Sequence, residues 1–142
     1  MTRLVADANV LISAALARSP QAPAAQIFDA ALDGRLELIT SPMLLAEVTD
    51  VLHRPRLRRY LSGDEADRFV ADLRVEFAFV ADAPQPHQRL CRDPADDYLV
   101  ALTLHVQAAA LVSGDRDLHE LVDPAITVLS PRQALELIQQ EP

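Results

Sequence analysis

Short apolar runs alternate with longer amphipathic segments along nearly the whole of this chain, and that alternation admits few folds. Residues 4–6, 36–40, 77–80, 109–112 and 126–129 are too short for stable helices and read as strands. Between them, apolar residues recur at helical spacing over residues 8–17, 24–32, 64–75 and 131–139. Two further helices announce their starts. Ser41-Pro42 and Asp93-Pro94 each place a side-chain acceptor before a proline at the first helical position, and the second of these helices runs to about residue 106. Residues 115–121 read as a short helix or turn, and the two prolines in Asp82-Ala83-Pro84-Gln85-Pro86-His87 make that stretch a loop. Strands separated by helices pair in parallel, so the expectation is an α/β domain. With 142 residues, half of them apolar, the chain can bury the core of one ordinary domain and needs no second.

Six carboxylates stand where apolar runs stop or helices start: Asp7, Glu47, Asp96, Asp97, Asp115 and Asp117. Asp7 ends Leu4-Val5-Ala6, and Asp115 follows Leu111-Val112-Ser113-Gly114. Both therefore fall at expected carboxyl ends of strands, the edge of a parallel sheet at which ligands bind. Glu47 lies about one and a half turns into its helix, among Leu44, Leu45, Val48, Val51 and Leu52. Asp96 shares a helix face with Leu99, Val100 and Thr103, and Asp97 one with Val100, Ala101 and Leu104. Both faces are apolar enough to point inward, so spacing leaves the choice between the two open.

Carboxylates converging from different elements repel one another and resist burial in ionised form unless protonation or a cation relieves the charge. Oxygen-only ligands point to Mg²⁺ or Mn²⁺ rather than Zn²⁺, and His53, His87, His105 and His119 are scattered without zinc spacing. One or two such ions acidify a water, neutralise a phosphate oxygen and stabilise the departing oxygen of an in-line displacement. Phosphodiester hydrolysis is therefore the expected reaction. With glycine only at Gly34, Gly63 and Gly114, the chain holds neither a P-loop nor a dinucleotide fingerprint. Cys91 stands alone and forms no internal disulfide; read as a structural thiol, it fits a reducing, cytoplasmic setting. Met1-Thr2-Arg3-Leu4-Val5-Ala6-Asp7 meets a carboxylate too early for a signal peptide. No stretch approaches the roughly 18 uninterrupted apolar residues of a membrane span.

Four stretches carry a resemblance: Leu4-Val5-Ala6-Asp7-Ala8-Asn9-Val10-Leu11-Ile12-Ser13, Ser41-Pro42-Met43-Leu44-Leu45-Ala46-Glu47-Val48, Arg92-Asp93-Pro94-Ala95-Asp96-Asp97-Tyr98-Leu99 and Leu111-Val112-Ser113-Gly114-Asp115-Arg116-Asp117-Leu118. In that order they resemble the PIN-domain proteins, in particular the toxin components of toxin–antitoxin systems related to VapC-type ribonucleases. The resemblance implies a single three-layer domain over residues 1–142, with a central parallel β-sheet of about five strands flanked by helices. It also implies a ribonuclease site dependent on Mg²⁺ or Mn²⁺. Asp7, Glu47, one aspartate of the Asp96-Asp97 pair and Asp115 match the family's acidic positions, and Asp96 matches better than Asp97 after Asp93-Pro94. A homodimer is implied too, as is a cognate antitoxin that covers the site by inserting an arginine among the acids, since a guanidinium pairs well with clustered carboxylates.

Around these acids the residues admit more than one role. Asn9 and Ser113, each two residues from an acid, either hold a carboxylate or a bound water in place or, for Asn9, cap the first helix. Asp117 is a ligand or the acidic start of a short helix, and Asp93 is a cap before it is a ligand. The formal net charge of −8 opposes RNA binding. The local stretch Arg54, Arg56, Arg58 and Arg59 could overcome it, with Tyr60 available to stack on a base; the same stretch also suits a solubilising helix end or a partner contact. Two rival classes remain. A non-catalytic acidic α/β module would bind a metal or partner without turnover. A phosphatase using Asp7 as nucleophile needs a second aspartate two residues on, where this chain has Asn9, and a lysine, whereas its thirteen basic residues are all arginine.

Overall fold

The computed structural model describes residues 1–84, 94–120 and 126–140; His87, Cys91 and Asp93, with the readings attached to them, lie outside the described residues. In chain order the elements are β1 (Arg3–Ala6), α1 (Ala8–Leu16), α2 (Pro23–Leu32), β2 (Glu37–Thr40), α3 (Pro42–Leu52), α4 (Gly63–Glu76), β3 (Ala78–Phe79), α5 (Asp97–His105), β4 (Ala110–Val112), α6 (Arg116–His119), β5 (Val128–Leu129) and α7 (Pro131–Gln139). Single 3₁₀ turns, Pro55–Leu57 and Pro94–Asp96, precede α4 and α5.

Among the described residues the five strands form one sheet in the order β3-β2-β1-β4-β5, every pair parallel. Leu4 pairs with Leu38 on one side and Ala110 on the other, and Val5 with Ile39 and Leu111. All three apolar residues of β1 are buried, as a strand covered by helices on both faces must be. This is a three-layer α/β fold. Helix α5 packs on β1 and β4, α7 on β4 and β5, and α1 packs against α2 and α3. Phe28 of α2 stacks on Phe69 at 5.1 Å and meets Phe77 edge-on at 5.0 Å, tying α2 to α4 and the start of β3.

From β1 the chain steps outward to β2 and β3, then returns to the opposite side of β1 for β4 and β5. The winding direction reverses between β1 and β4, and the crevice this leaves at their carboxyl ends is the natural ligand site of such a sheet. The outer strands β3 and β5 are two residues each, shorter than their apolar runs, and such short edges offer little open backbone for pairing with another chain. Helix starts follow their caps. The Ser41 Oγ accepts from Leu44 N at 3.3 Å with Pro42 behind it, and Ser62 with Glu65 and Ser130 with Gln133 form complete capping boxes. One start differs from expectation: the 3₁₀ turn Pro94–Asp96 delays α5 to Asp97, which leaves Asp96 as its N-cap residue.

Candidate active site at the carboxyl edge of the sheet

Asp7 is the only residue between β1 and α1, and its position does most to organise the crevice. Its N–H donates to the Val112 carbonyl at 3.0 Å, extending the β1–β4 pairing by one residue. Oδ1 accepts from Val10 N at 2.9 Å, so Asp7 itself caps α1. That excludes the capping role considered for Asn9, which is exposed in the first turn of α1. Oδ2 accepts from the Ser113 hydroxyl at 2.5 Å, joining residues 106 apart in sequence.

Ser113, fully buried just past β4, is the hub of this edge. Its Oγ donates to Asp7 and accepts from Asp115 N at 2.9 Å, while its carbonyl accepts from His119 Nε2 at 2.6 Å. Asp7 and the Asp115 turn are thus held by one side chain. Asp7 is 5% exposed, and burial pushes its carboxyl above the ordinary value. The hydrogen bonds from Ser113 and Val10 oppose that rise, repulsion from Asp115 adds to it, and His119 opposes it.

The charges of Glu47, Asp96 and Asp82 join that of Asp7 in bearing on Tyr98. Glu47 lies half-buried on α3, whose buried Leu44, Leu45, Val48 and Leu52 face the core. Burial raises the Tyr98 phenol above its ordinary value, and the charges of Glu47, Asp96, Asp7 and Asp82, in that order, raise it further. Asp96 thus belongs to the same electrostatic neighbourhood as Glu47 and Asp7. Asp97 is buried in the first turn of α5, and Asp115 is half-buried. The side chain of Asp117, on α6, lies outside what is described. As the side chains stand, no three Asp, Glu, His or Cys residues among those described lie close enough to share one ion.

The donor set nevertheless suits a hard divalent cation. It is built from oxygen, and three buried polar atoms lack a hydrogen-bond partner among the described residues: Thr40 Oγ1 at the end of β2, Asp82 Oδ1 and Tyr98 Oη. Such atoms are costly to bury and mark places where water or an ion completes a site. Sequence reasoning assigns no role to these three. Asp82 opens a proline-bounded loop, yet its Oδ2 accepts from Met43 N at 3.1 Å and pins the start of α3. His119 is likewise missed, although its place four residues after Asp115 is the helical spacing that could have found it.

The basic stretch divides in two. Arg58 points inward, donating to the carbonyls of Leu52 and Leu61, and Arg54 pairs with Asp50 at 3.3 Å one helical turn back. Arg56 and Arg59 line an open cavity of about 590 Å³ with Pro55, Leu57 and Tyr60. Arg18 and Arg59 lie 5.5 and 5.6 Å from the centre of the Tyr60 ring.

A family model for the PIN domain matches residues 3–117. Uncharacterized protein MJ1680 of Methanocaldococcus jannaschii is 28% identical over 123 residues, covering 85% of this chain and 76% of that protein. In fold the chain is similar to VapBC2 from Rickettsia felis, solved bound to a DNA fragment from their promoter, with a TM-score of 0.62, 8% identity, and coverage of 91% of this chain and 98% of that one. It is also similar to PAE2754 from Pyrobaculum aerophilum, with a TM-score of 0.61, 16% identity, and coverage of 99% and 91%. For FitAcB from Neisseria gonorrhoeae the TM-score is 0.57, the identity 16% and the coverage 91% and 98%. Because the family model takes in well over half of the sequence, from the first strand through the Asp115 turn, this chain belongs to the PIN-domain family.

Proposed function

We propose that the chain is an endoribonuclease dependent on Mg²⁺ or Mn²⁺, and the toxin member of a toxin–antitoxin pair. The observation that carries this reading is the buried carboxylate of Asp7, held at the reversal point of the sheet by Ser113 and next to the charge of Asp115. Asp7, Glu47, Asp96 and Asp115 would hold the cation, with Asp97 and Asp117 as further candidate ligands. Asp96 is preferred over Asp97 because its charge, with those of Glu47 and Asp7, bears on Tyr98. When bound, a divalent ion supplies charge neutralisation at phosphate and an acidified water. Ser113 keeps Asp7 aimed into the crevice, and the Asp115 N–H bond to the same hydroxyl fixes the second carboxylate's turn.

RNA reaches this acidic edge through Arg56 and Arg59, which line the open cavity together with Tyr60. Arg54 and Arg58, already engaged within the fold, contribute background positive charge. A helix rise of about 1.5 Å per residue sets the end of α3, which leads into this basic turn, roughly 8 Å along the axis beyond Glu47. The resemblance to VapC-type ribonucleases supports a cognate antitoxin that covers the acids with an arginine, and a homodimer. No helix among the described residues is long and apolar enough to cross a membrane, and the reading is of a cytoplasmic enzyme.

The test is cleavage of a mixed RNA pool by purified protein with Mg²⁺, with Mn²⁺ and with EDTA, beside Asp7→Asn. Cutting that needs the metal and falls at least about 100-fold in the folded variant is the expected result, as for loss of a group that positions charge at the reacting phosphate. Folded, antitoxin-free protein that stays silent throughout would instead favour a non-catalytic acidic module that binds a metal or a partner.

A further inference from the structure

Tyr60 is 49% exposed between the turn Pro55–Leu57 and α4, and two guanidiniums lie over its ring. Arg59 is its chain neighbour, whereas Arg18 comes from the connection between α1 and α2. At 5.5 and 5.6 Å from one ring centre, the two guanidinium carbons are at most about 11 Å apart. Arg56 lines the adjoining cavity. None of these three pairs with an acid among the described residues, whereas Arg3, Arg35 and Arg54 each do. With 21 acids for 13 basic residues, the chain has no shortage of partners to offer. Like charges brought together without one repel, and an anion from outside the chain relieves that repulsion.

A guanidinium resting on an aromatic face spends no N–H donor on that contact, so its planar fork stays free for a two-toothed acceptor. The ring also restricts where a long side chain can wander, which leaves less freedom to lose on binding. Carboxylates and phosphates both fit such a fork. The surroundings favour phosphates of a single nucleic-acid strand: the cavity is open, its volume is about 590 Å³, and Pro55 and Leu57 give it apolar walls beside the charges. Arginines interleaved with an aromatic ring are the usual lining of single-strand grooves. Arg18 also stands in a set relation to the acids. Helix α1, nine residues and so about 14 Å long, starts directly after Asp7 and ends two residues before Arg18. We propose that Arg18 and Arg59 form a two-pronged clamp for the phosphates of one RNA strand, with Tyr60 as a positioning residue whose ring holds both prongs instead of stacking on a base. The inference rests on the reading above that RNA is what this chain engages, and it adds Arg18 to the path. A strand that touches both Arg18 and the Asp7 edge then extends about four nucleotides from the cut, at roughly 3.4 Å of stacked rise each.

Binding of a fluorescent oligouridylate of about a dozen nucleotides, within the roughly 4–16 that a single-strand groove covers, tests this in EDTA at several salt concentrations. The proteins are full-length wild type, Arg18→Ala, Tyr60→Phe, Tyr60→Ala and the double variant Arg18→Ala with Tyr60→Ala. Arg18→Ala should bind about 10-fold more weakly, the lower end for a charged hydrogen bond, with a salt slope shallower by roughly 0.7. Tyr60→Phe keeps the ring face and should bind as wild type does, while Tyr60→Ala should weaken binding. Adding Arg18→Ala to Tyr60→Ala should then cost little more, because the prong has already lost its support. Wild-type affinity and slope in Arg18→Ala would overturn the proposal, as would additive losses in the double variant, which would make Tyr60 an independent platform for a base. Competition by polyglutamate as effective as that by RNA of equal charge would overturn it in favour of an acidic protein partner. Because binding is read without metal, the two readings fail separately. RNA held through Arg18 by a chain that never cuts would sustain the clamp and sink the nuclease, and cutting by a chain whose RNA affinity ignores Arg18 would do the reverse.

Discussion

Asp7 is pulled in two directions. Its bonds from Val10 N and Ser113 Oγ favour the ionised carboxylate, while burial and the neighbouring charge of Asp115 favour the protonated acid; burial prevails, and the group titrates above its ordinary value of 3.8. A carboxyl raised in this way contributes its full stability below the unfolded value of about 4, and that contribution is lost as pH rises through the folded value. Without divalent ions, the wild-type chain should therefore lose more stability between pH 4 and neutrality than Asp7→Asn does. The variant keeps a good N-cap and has no charge to desolvate. Melting curves across that range in EDTA check this, and parallel behaviour of the two proteins would count against it. Ser113→Ala removes one donor and one acceptor from a fully buried position and should cost about 2 kcal/mol in urea unfolding, with loss of nuclease activity as well. Asp7, Ser113 and Asp115 are legible in the sequence because each lies beside an apolar run that has to be a strand. The choice between Asp96 and Asp97 is not, since one 3₁₀ turn decides which of them starts the helix. Nor is Tyr98, whose significance is a missing bond.

At the level of elements, the connection from α3 to α4 shows how four similar arginines acquire different work. Arg58 ties the last turn of α3 to the segment before α4 through two carbonyls, whereas Arg56 and Arg59 face an open cavity. Arg58→Ala should lower unfolding stability by about 1–3 kcal/mol, the range for charged hydrogen bonds left unmade. The double change Arg56→Ala with Arg59→Ala should leave stability within about 0.5 kcal/mol. It should instead weaken RNA binding and make the salt slope shallower by roughly 0.7 for each single-strand phosphate that an arginine no longer neutralises. Urea titrations and binding at several salt concentrations separate the two effects; a double variant with wild-type affinity and slope would remove this turn from the RNA path. Most element positions are readable because strand runs and caps are local signals: Ser41-Pro42, Ser62 with Glu65, and Ser130 with Gln133 each stand where a helix begins. The partners of a long side chain such as Arg58 are tertiary facts, and no spacing rule contains them.

For the molecule as a whole, a net charge of −8 and the several acids whose charges bear on Tyr98 are the features through which the proposed cation site would act on stability. If the proposed site holds Mg²⁺, a concentration near 100 times its dissociation constant should add about 2.7 kcal/mol of stability. The melting temperature should then rise by several degrees in wild type and by much less in Asp7→Ala; equal shifts in both would point to nonspecific screening. The parallel, doubly covered sheet is legible from strands alternating with helices, and its reversal beside β1 follows from the strand order that the structure supplies.

The bond between Asp7 and Ser113 has a temporal side. Its partners are 106 residues apart, and translation at about 5–20 residues per second separates their synthesis by roughly 5–20 s. For the later part of that interval the growing chain carries both Asp7 and Glu47 without the strand that leads into Ser113 and the Asp115 turn. On the proposed reading, a chain halted before β4 should not cut RNA at all, because it lacks the Asp115 turn. Activity of the proposed kind would then first arise once β4 has docked beside β1, and a cell would meet the finished chain without prior exposure to an active fragment of it.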